Sequence, residues 1–230
     1  VISSLAGIMV AQVFDVAPTH FGILDICRLN IENIVKVIIL SILCAFISIV
    51  FCVVMKRVAG MYKKYAPNPF VRVAAGGVIV AILTFVVGTR DYNGAGMAII
   101  EQAFSSRVVW HAFILKIIFT AFTLGAGFKG GEIVPAFFTG ATFGNAVSPI
   151  IGLNSSFGAG IGLICLFCGV TNCPLTSMIL SVELFGAEGL PFFAAACATS
   201  YMLSGYTGLY SGQKIVYSKT RAEFIDKNAG

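Results

Sequence analysis

The longest apolar stretch of the chain, residues 31–54, limits most strongly what the sequence can fold into. Apart from Glu32, Asn33 and Lys36 near its start, it consists of aliphatic, aromatic and small residues, without a glycine or a proline. At ~1.5 Å of rise per residue, a helix of this length reaches across the ~30 Å hydrocarbon core of a bilayer. The stretch is followed by Lys56, Arg57, Lys63 and Lys64, the densest basic run of the chain. The sequence therefore predicts a membrane span whose basic end faces the cytoplasm, because cytoplasmic ends of spans carry an excess of Lys and Arg.

The composition agrees with a membrane protein built from several such segments. Of the 230 residues, 58% are hydrophobic and 11% are charged, whereas a soluble domain carries about 25% charged residues. The basic residues cluster at the ends of apolar stretches, so the net charge of +5 indicates membrane topology and no nucleic-acid partner. The cysteines lie mostly within apolar runs and form no recognisable disulfide or metal-ligand framework. We therefore expect no metal and no organic cofactor.

Further apolar segments continue the chain, and the later ones are too short for a full crossing. Residues 70–87 and 108–124 are predicted spans, and residues 97–104 are a predicted short helix. A crossing needs about 20 apolar residues. The following segments have fewer: 133–147, 157–170, 173–184 and 190–202. A series of short apolar helices separated by Gly or Pro is typical of the tilted, re-entrant and broken helices of transporters. The predicted fold class is an all-α integral membrane protein.

The polar segments between the helices predict the topology. Residues 15–30 should lie outside, while the basic tail at 214–227 should share the cytoplasmic face with the basic run that follows residue 54. Residues 1–14 are apolar but have neither a basic start nor a cleavage site, so we expect the end of a preceding helix and not a signal peptide. Lys116 falls in the middle of a predicted span and should either snorkel or face protein.

Residues 125–144, reading GAGFKGGEIVPAFFTGATFG, interrupt the apolar pattern with glycines, charges and a proline. Pro135 suits the first turn of a helix, where its missing N–H would have no partner anyway. The amides of Glu132, Ile133 and Val134 would then lie at a helix start, where unpaired N–H groups and the positive end of the helix dipole attract anions. In transporters, broken helices hold ions in this way. The stretch is a candidate anion site made of backbone.

Two glycines support this interpretation. Gly130 and Gly131 would let the backbone approach a ligand closely and adopt conformations that other residues avoid. The alternative is that the stretch is only a glycine-rich turn between two spans. The local sequence alone leaves both interpretations open.

The order of the motifs GGEIVP, GATFG, TNCPLTSMILSVELFG and SGQKIVYSKTR resembles the second half of the CLC family of chloride channels and proton-coupled anion exchangers. The family motif Gly-x-Phe-x-Pro matches residues 131–135, with Ile133 in place of Phe. The family's pore-facing tyrosine, at the start of its last cytoplasmic helix, falls on Tyr217. A family segment with a proline, a threonine and a later glutamate matches Pro174, Thr176 and Glu183.

The resemblance implies a CLC-type inverted-repeat helical architecture of which this chain holds the C-terminal half. Residues 1–14 would end the preceding helix, 31–208 would form the second-half repeat, and 209–230 would form a C-terminal cytoplasmic helix and tail. The first-half motifs of the family, including the one that carries the gating glutamate, do not occur in the chain. The resemblance also implies a homodimer with interface helices at 1–14, 173–184 and 190–202. It implies a location in the cell membrane of a bacterium, because the loop at 88–96 is similar to that of bacterial members.

By the same resemblance, the function would be the transport of chloride or fluoride, with a bound halide as the only ligand and protons as the coupled ion. The anion would contact Gly131, Glu132, Ile133, Val134 and Tyr217, while Gly130 and Pro135 would support the helix start. The position of Glu132 is apolar in the well-known chloride transporters. A Gly-Gly-Glu-Val-Thr-Pro version is typical of the fluoride-exporting branch, and this chain has Val134 where that branch has Thr.

Glu132 itself has two interpretations. An ionised carboxylate beside an anion is repelled by about 4 kcal/mol at 4 Å in an effective dielectric near 20, so burial and the anion together favour the neutral acid. A neutral Glu132 could donate a hydrogen bond to a halide and couple its binding to a proton. Alternatively, Glu132 turns back and caps the amides of its own helix.

Two other classes of function remain to be weighed. An intramembrane protease would need a Gly-x-Ser-x-Gly with a later histidine, or a His-Glu-x-x-His, and the sequence has neither. We therefore expect no enzyme. A non-conducting membrane assembly subunit, or another transporter with a broken-helix site, is the alternative to anion transport.

Overall fold

A computed structural model describes residues 2–15 and 20–229 of the chain. Nearly all regular structure in these residues is helical, and one two-stranded sheet lies near the C-terminus. The helices are α1 (Ile2–Val13), α2 (Ile31–Tyr65), α3 (Pro69–Val87), α4 (Met97–Ser105), α5 (Ala112–Gly125), α6 (Ile133–Val147), α7 (Ser155–Thr171), α8 (Pro174–Phe185) and α9 (Leu190–Leu203). A short 3-10 helix, Ser148–Ile151, follows α6.

The two longest helices among the described residues, α2 and α3, are each long and apolar enough to cross a membrane. Asn30 begins α2 by accepting a hydrogen bond from the amide of Asn33 at 2.7 Å. The helix ends at Tyr65, well beyond the predicted end at residue 54. It continues through the basic run because Lys and Arg are good helix formers, and it stops just before Pro67, since a proline disfavours helical backbone at the residue preceding it.

The predicted short segments are confirmed as helices. Residues 133–147 form α6 with the predicted bounds, and the ends of α4, α7, α8 and α9 differ from prediction by about two residues or fewer. The predicted span at 108–124 begins later, at Ala112.

The centre of the molecule is the contact between α6 and α7, which meet through glycines. A methyl group added at Gly144 would lie 2.0 Å from the carbonyl oxygen of Gly158, and one at Gly140 would lie 2.4 Å from that of Gly162. Small residues allow this approach of two backbones, a packing mode common between membrane helices. Helices α2, α5 and α9 surround the pair, and α7 is buried along nearly its whole length.

The C-terminal segment differs from the prediction. The resemblance implies a helix within 209–230, but the described part of this segment forms two antiparallel strands, β1 (Lys214–Tyr217) and β2 (Phe224–Asn228). The local sequence accounts for this, because Ile, Val, Tyr and Phe are strand formers. Ile215 is buried beneath the hairpin, which gives the strand pair a hydrophobic contact.

The polar segment before α2 and the C-terminal segment contact opposite ends of α7. The amide of Leu24 donates to Ser156 Oγ, at the start of α7, at 3.1 Å. At the other end, the amide of Leu209 donates to the carbonyl of Val170 at 3.0 Å, and Gln213 Nε2 donates to the carbonyl of Thr171 at 3.1 Å. This separation agrees with the predicted placement of 15–30 and 214–227 on opposite sides, and the identity of the cytoplasmic side stays a prediction.

Lys116 faces protein. Its side chain is 1% exposed, and its Nζ donates to the carbonyls of Tyr92 and Gly94 at 3.2 and 2.6 Å. The ammonium also lies 4.8 Å from the centre of the Phe138 ring. These contacts fasten the loop before α4 to α5 and α6, so the buried charge has a structural role.

Candidate functional site

The start of α6 is a helix N-terminus that no side chain caps. Glu132 precedes the first helical residue with φ −92° and ψ −19°, and its carboxylate makes no hydrogen bond to the helix amides. The interpretation of Glu132 as a cap is therefore wrong for this structure. The amides of Ile133 and Val134 belong to the first turn, which has no intrahelical acceptor for them. Pro135 is buried, while Ile133 and Val134 are half-buried, so this turn lies at the edge of the protein interior.

The prediction that Gly130 and Gly131 adopt backbone conformations that other residues avoid is wrong, and their close approach to a ligand stays a prediction. Neither Gly130 nor Gly131 has a positive φ, whereas Gly127 has a φ of 101°. The backbone turn that only glycine adopts easily therefore lies at Gly127. A methyl group at Gly131 would meet nothing within 4 Å, so this position leaves open space beside the helix start.

A cavity of about 400 Å³, which we call the glycine cavity, lies on one side of the helix start. Its wall includes predicted site residues: Gly130, Gly131, Val134 and Pro135. The loop before α4 and the middle of α5 also line it, where Thr120 and Thr123 contribute hydroxyl-bearing side chains, and Lys129 is its charged lining residue. The cavity is mostly apolar with a few polar groups, which is the usual character of a ligand site.

A second cavity has a volume of about 140 Å³, and we call it the Lys56 cavity. Glu132 lines it together with Lys56 of α2 and Leu209 of the C-terminal segment, and the remaining wall is Met55, Ala59, Leu124 and Gly125. Glu132 is half-buried. Among the described residues it makes no ion pair within 4.0 Å. Of the predicted site residues around α6, Glu132 lines the Lys56 cavity, Ile133 lines neither cavity, and the others line the glycine cavity.

Sequence reasoning missed Lys56, because it counted this residue only as part of the basic run that marks the cytoplasmic end. The Nζ atom of Lys56 is buried and has no hydrogen-bond partner among the described residues. Arg57, Lys63 and Lys64 are exposed. Helical periodicity could have distinguished Lys56 from these exposed residues, since Lys56 lies four residues after the buried Cys52 and therefore on the same side of α2.

Tyr217 is not in either cavity. It lies in β1 with 68% of its surface exposed, and its ring packs edge-on against Phe224 at 5.9 Å between ring centres. The expectation that it begins a helix is wrong, because the segment is a strand. Its contact with an anion stays a prediction.

Comparison with known proteins adds the family. A family model for voltage-gated chloride channels matches residues 1–205. The chain belongs to this family. The structure also agrees with a solved CLC fold: the crystal structure of a CLC-type fluoride/proton antiporter superposes with a TM-score of 0.83 at 24% identity, over 87% of this chain and 51% of that chain. The CLC-type helical fold class is therefore confirmed.

Curated relatives of this CLC chain agree with the assignment. A chloride/fluoride channel protein of Pseudomonas syringae pv. tomato is 32% identical over 225 residues, which make up 95% of this chain and 50% of that protein. An uncharacterised protein of Methanocaldococcus jannaschii is 23% identical over 192 residues, 82% of this chain and 48% of that protein. The chain thus spans about half the length of the curated relatives it matches.

Proposed function

We propose that the full-length protein to which this chain belongs transports a halide anion, chloride or fluoride, across a bacterial cell membrane, and that the first-turn amides of α6 bind the anion. The observation that carries the proposal is the uncapped start of α6, whose neighbouring residues line two cavities. Unpaired N–H groups there combine with the positive end of the helix dipole, and both favour an anion. Family membership supports this function over a non-conducting subunit, and transport needs no enzymatic step.

We further propose that protons are coupled to the anion through Glu132. Its side chain is free of the helix amides and lines the Lys56 cavity. An ionised carboxylate next to a bound halide would be repelled by about 4 kcal/mol at 4 Å in a dielectric near 20. A halide at the start of α6 therefore promotes the binding of a proton to Glu132, and release of one favours release of the other.

The test is flux through liposomes that contain the full-length protein. A fluoride or chloride gradient drives anion movement, and proton uptake is recorded in the same vesicles. Glu132→Gln keeps a hydrogen-bond donor but cannot release a proton, so it should preserve anion binding and lower the ratio of protons to anions moved. Glu188→Gln, a change of the same kind at an exposed loop residue, is the control. Equal coupling ratios in all three proteins would make Glu132 a structural residue.

The backbone nature of the site gives a second test. If the amides bind the anion, the side chain of Ile133 matters mainly for shape, and Ile133→Phe should keep transport. Pro135→Ala should weaken transport modestly, because proline fixes the backbone of the first turn. Complete loss of flux in Ile133→Phe would argue against a backbone site.

We also propose that the protein is a homodimer with α8 in the interface. Leu175, Ile179 and Val182 form an exposed apolar row along α8. Their spacing places them on one face of the helix. The exposed Glu183 borders this row, and the apolar side chains of the row suit packing against a second copy in lipid. Cysteine at Ile179 should crosslink two copies of the full-length protein, and a protein that stays monomeric at high concentration in bilayers would refute the assembly.

A further inference from the structure

We propose that the Lys56 cavity is a second halide site, in which one anion lies between the ammonium of Lys56 and the carboxyl of Glu132. This inference rests on the proposed function, because it extends the anion path from the amides of α6 toward the end of α2. The site differs from the backbone site in its chemistry, since a side-chain cation binds the anion there.

The first observation is the state of Lys56. Its Nζ is buried, yet it has no hydrogen-bond partner among the described residues. A buried ammonium without a partner is costly, because it has lost hydration without compensation. Lys116 shows the ordinary solution in the same protein, with two backbone carbonyls as acceptors. Lys56 lacks such acceptors and lines a cavity instead.

The second observation is the cavity itself. Its volume of about 140 Å³ exceeds the ~30 Å³ that one water occupies in the liquid, so a halide with part of its hydration fits. The other lining residues are Met55, Ala59, Leu124, Gly125 and Leu209. These residues are apolar, so among the described residues Lys56 and Glu132 supply the only charged groups of the wall.

The third observation is that Glu132 shares this wall without pairing with Lys56. Their charged atoms are more than 4.0 Å apart, since no ion pair joins them among the described residues. The Nζ atom itself is buried, so contact between the ammonium and an anion requires the Lys56 side chain to turn toward the cavity that it lines. Lys56 offers one positive charge, for which the halide and the Glu132 carboxylate compete. Entry of a halide then favours transfer of a proton from water to Glu132, and the neutral acid can donate a hydrogen bond to the halide.

The experiment measures halide binding and halide flux with the full-length protein. Sodium fluoride and sodium chloride are titrated calorimetrically, and the same salts drive flux in liposomes. Lys56→Met should leave halide binding at the α6 amides, should weaken binding of the second halide at least about tenfold, equivalent to about 1.4 kcal/mol, and should slow flux. Lys56→Arg should restore both in large part because it keeps the charge. Lys63→Met removes an exposed charge from the same helix and should leave both unchanged.

The outcomes separate this inference from the proposed function. A wild-type protein without halide flux refutes the proposed function. Normal flux in the wild type together with normal binding and flux in Lys56→Met overturns the second site alone. Normal halide binding in Lys56→Met with altered proton uptake also overturns it, because the cavity would then conduct protons through water. If Lys56→Met does not fold, Lys56→Gln provides the same comparison with a polar side chain.

Discussion

The contact of α6 with α7 gives the sharpest prediction of stability. Replacing Gly144 by alanine would place a methyl carbon 2.0 Å from the carbonyl oxygen of Gly158. Favourable contacts between heavy atoms begin near ~3.5 Å. The helices would have to separate by roughly 1.5 Å. The backbone fixes the position of the methyl carbon, and the group that it meets is a backbone carbonyl, so no side-chain rotation can relieve the clash. A radial gap of 0.5–1 Å already forfeits about a quarter to a half of a contact's attraction.

The magnitude follows from two opposing terms. Overpacking a well-filled contact costs roughly 1–3 kcal/mol, and a clash with backbone belongs at the upper end. Alanine in place of glycine within a helix gains roughly 0.5–1 kcal/mol. We expect Gly144→Ala to lower the free energy of unfolding by about 2 kcal/mol.

Gly60→Ala is the matched control. Gly60 also lies within a helix, but a methyl group there meets nothing within 4 Å. It should therefore keep or raise the stability, which leaves a difference of about 3 kcal/mol between the two variants. The assay is unfolding of the full-length protein in mixed micelles with increasing denaturing detergent, followed by circular dichroism. If Gly144→Ala is as stable as Gly60→Ala, the backbone contact of α6 with α7 is wrong.

Three further predictions address the loop packing, the C-terminal segment and the topology. Asn145 is buried, and its amide donates to two carbonyls near the end of α4 at 2.7 and 2.9 Å; Asn145→Ala should cost about 1–3 kcal/mol in the same unfolding assay by leaving these groups unpaired, and an unchanged transition would contradict it. Burial lowers the pKa of Lys219 to about 8, below the ~10.4 of a free lysine. Between these pH values, the C-terminal segment therefore binds more protons when it is detached from the protein than when it is packed. The attachment of this segment should strengthen as pH rises from 8 toward 10. Protection from hydrogen exchange at residues 214–228, corrected for intrinsic rates, should increase over this range in the wild type and not in Lys219→Met. Cysteine labelling should place Asp25 and Lys63 on opposite sides of the membrane, and labelling from the same side would refute the topology.

The helices of this protein could be predicted because their apolar segments end at glycine, proline or polar residues. The bounds of α6 were predictable from one proline and the glycines before it, since first-turn chemistry is local. Contacts between distant segments were not predictable in this way. The sequence places Gly144 and Gly158 on separate helices, and only the packing brings their backbones together.

The candidate site shows the same division between local and distant information. The sequence identifies the amides of Ile133 and Val134 because they follow a recognisable helix start. It does not reveal that Lys56 shares a cavity with Glu132, because periodicity alone does not say which helix packs against which. The error at Tyr217 has another cause: the family resemblance implied a helix there, although the local residues favour a strand.

The absence of side chains between α6 and α7 at their glycine contacts also bears on how the protein can move. Packed side chains can change rotamer as neighbouring helices slide, but two backbones in contact have no such freedom, so the pair should move as one rigid body. The Lys56 cavity is bounded instead by α2, the end of α5 and Leu209 of the C-terminal segment. Widening of the anion path at this cavity therefore requires α2, the end of α5 or the C-terminal segment to move, while the start of α6 stays in place.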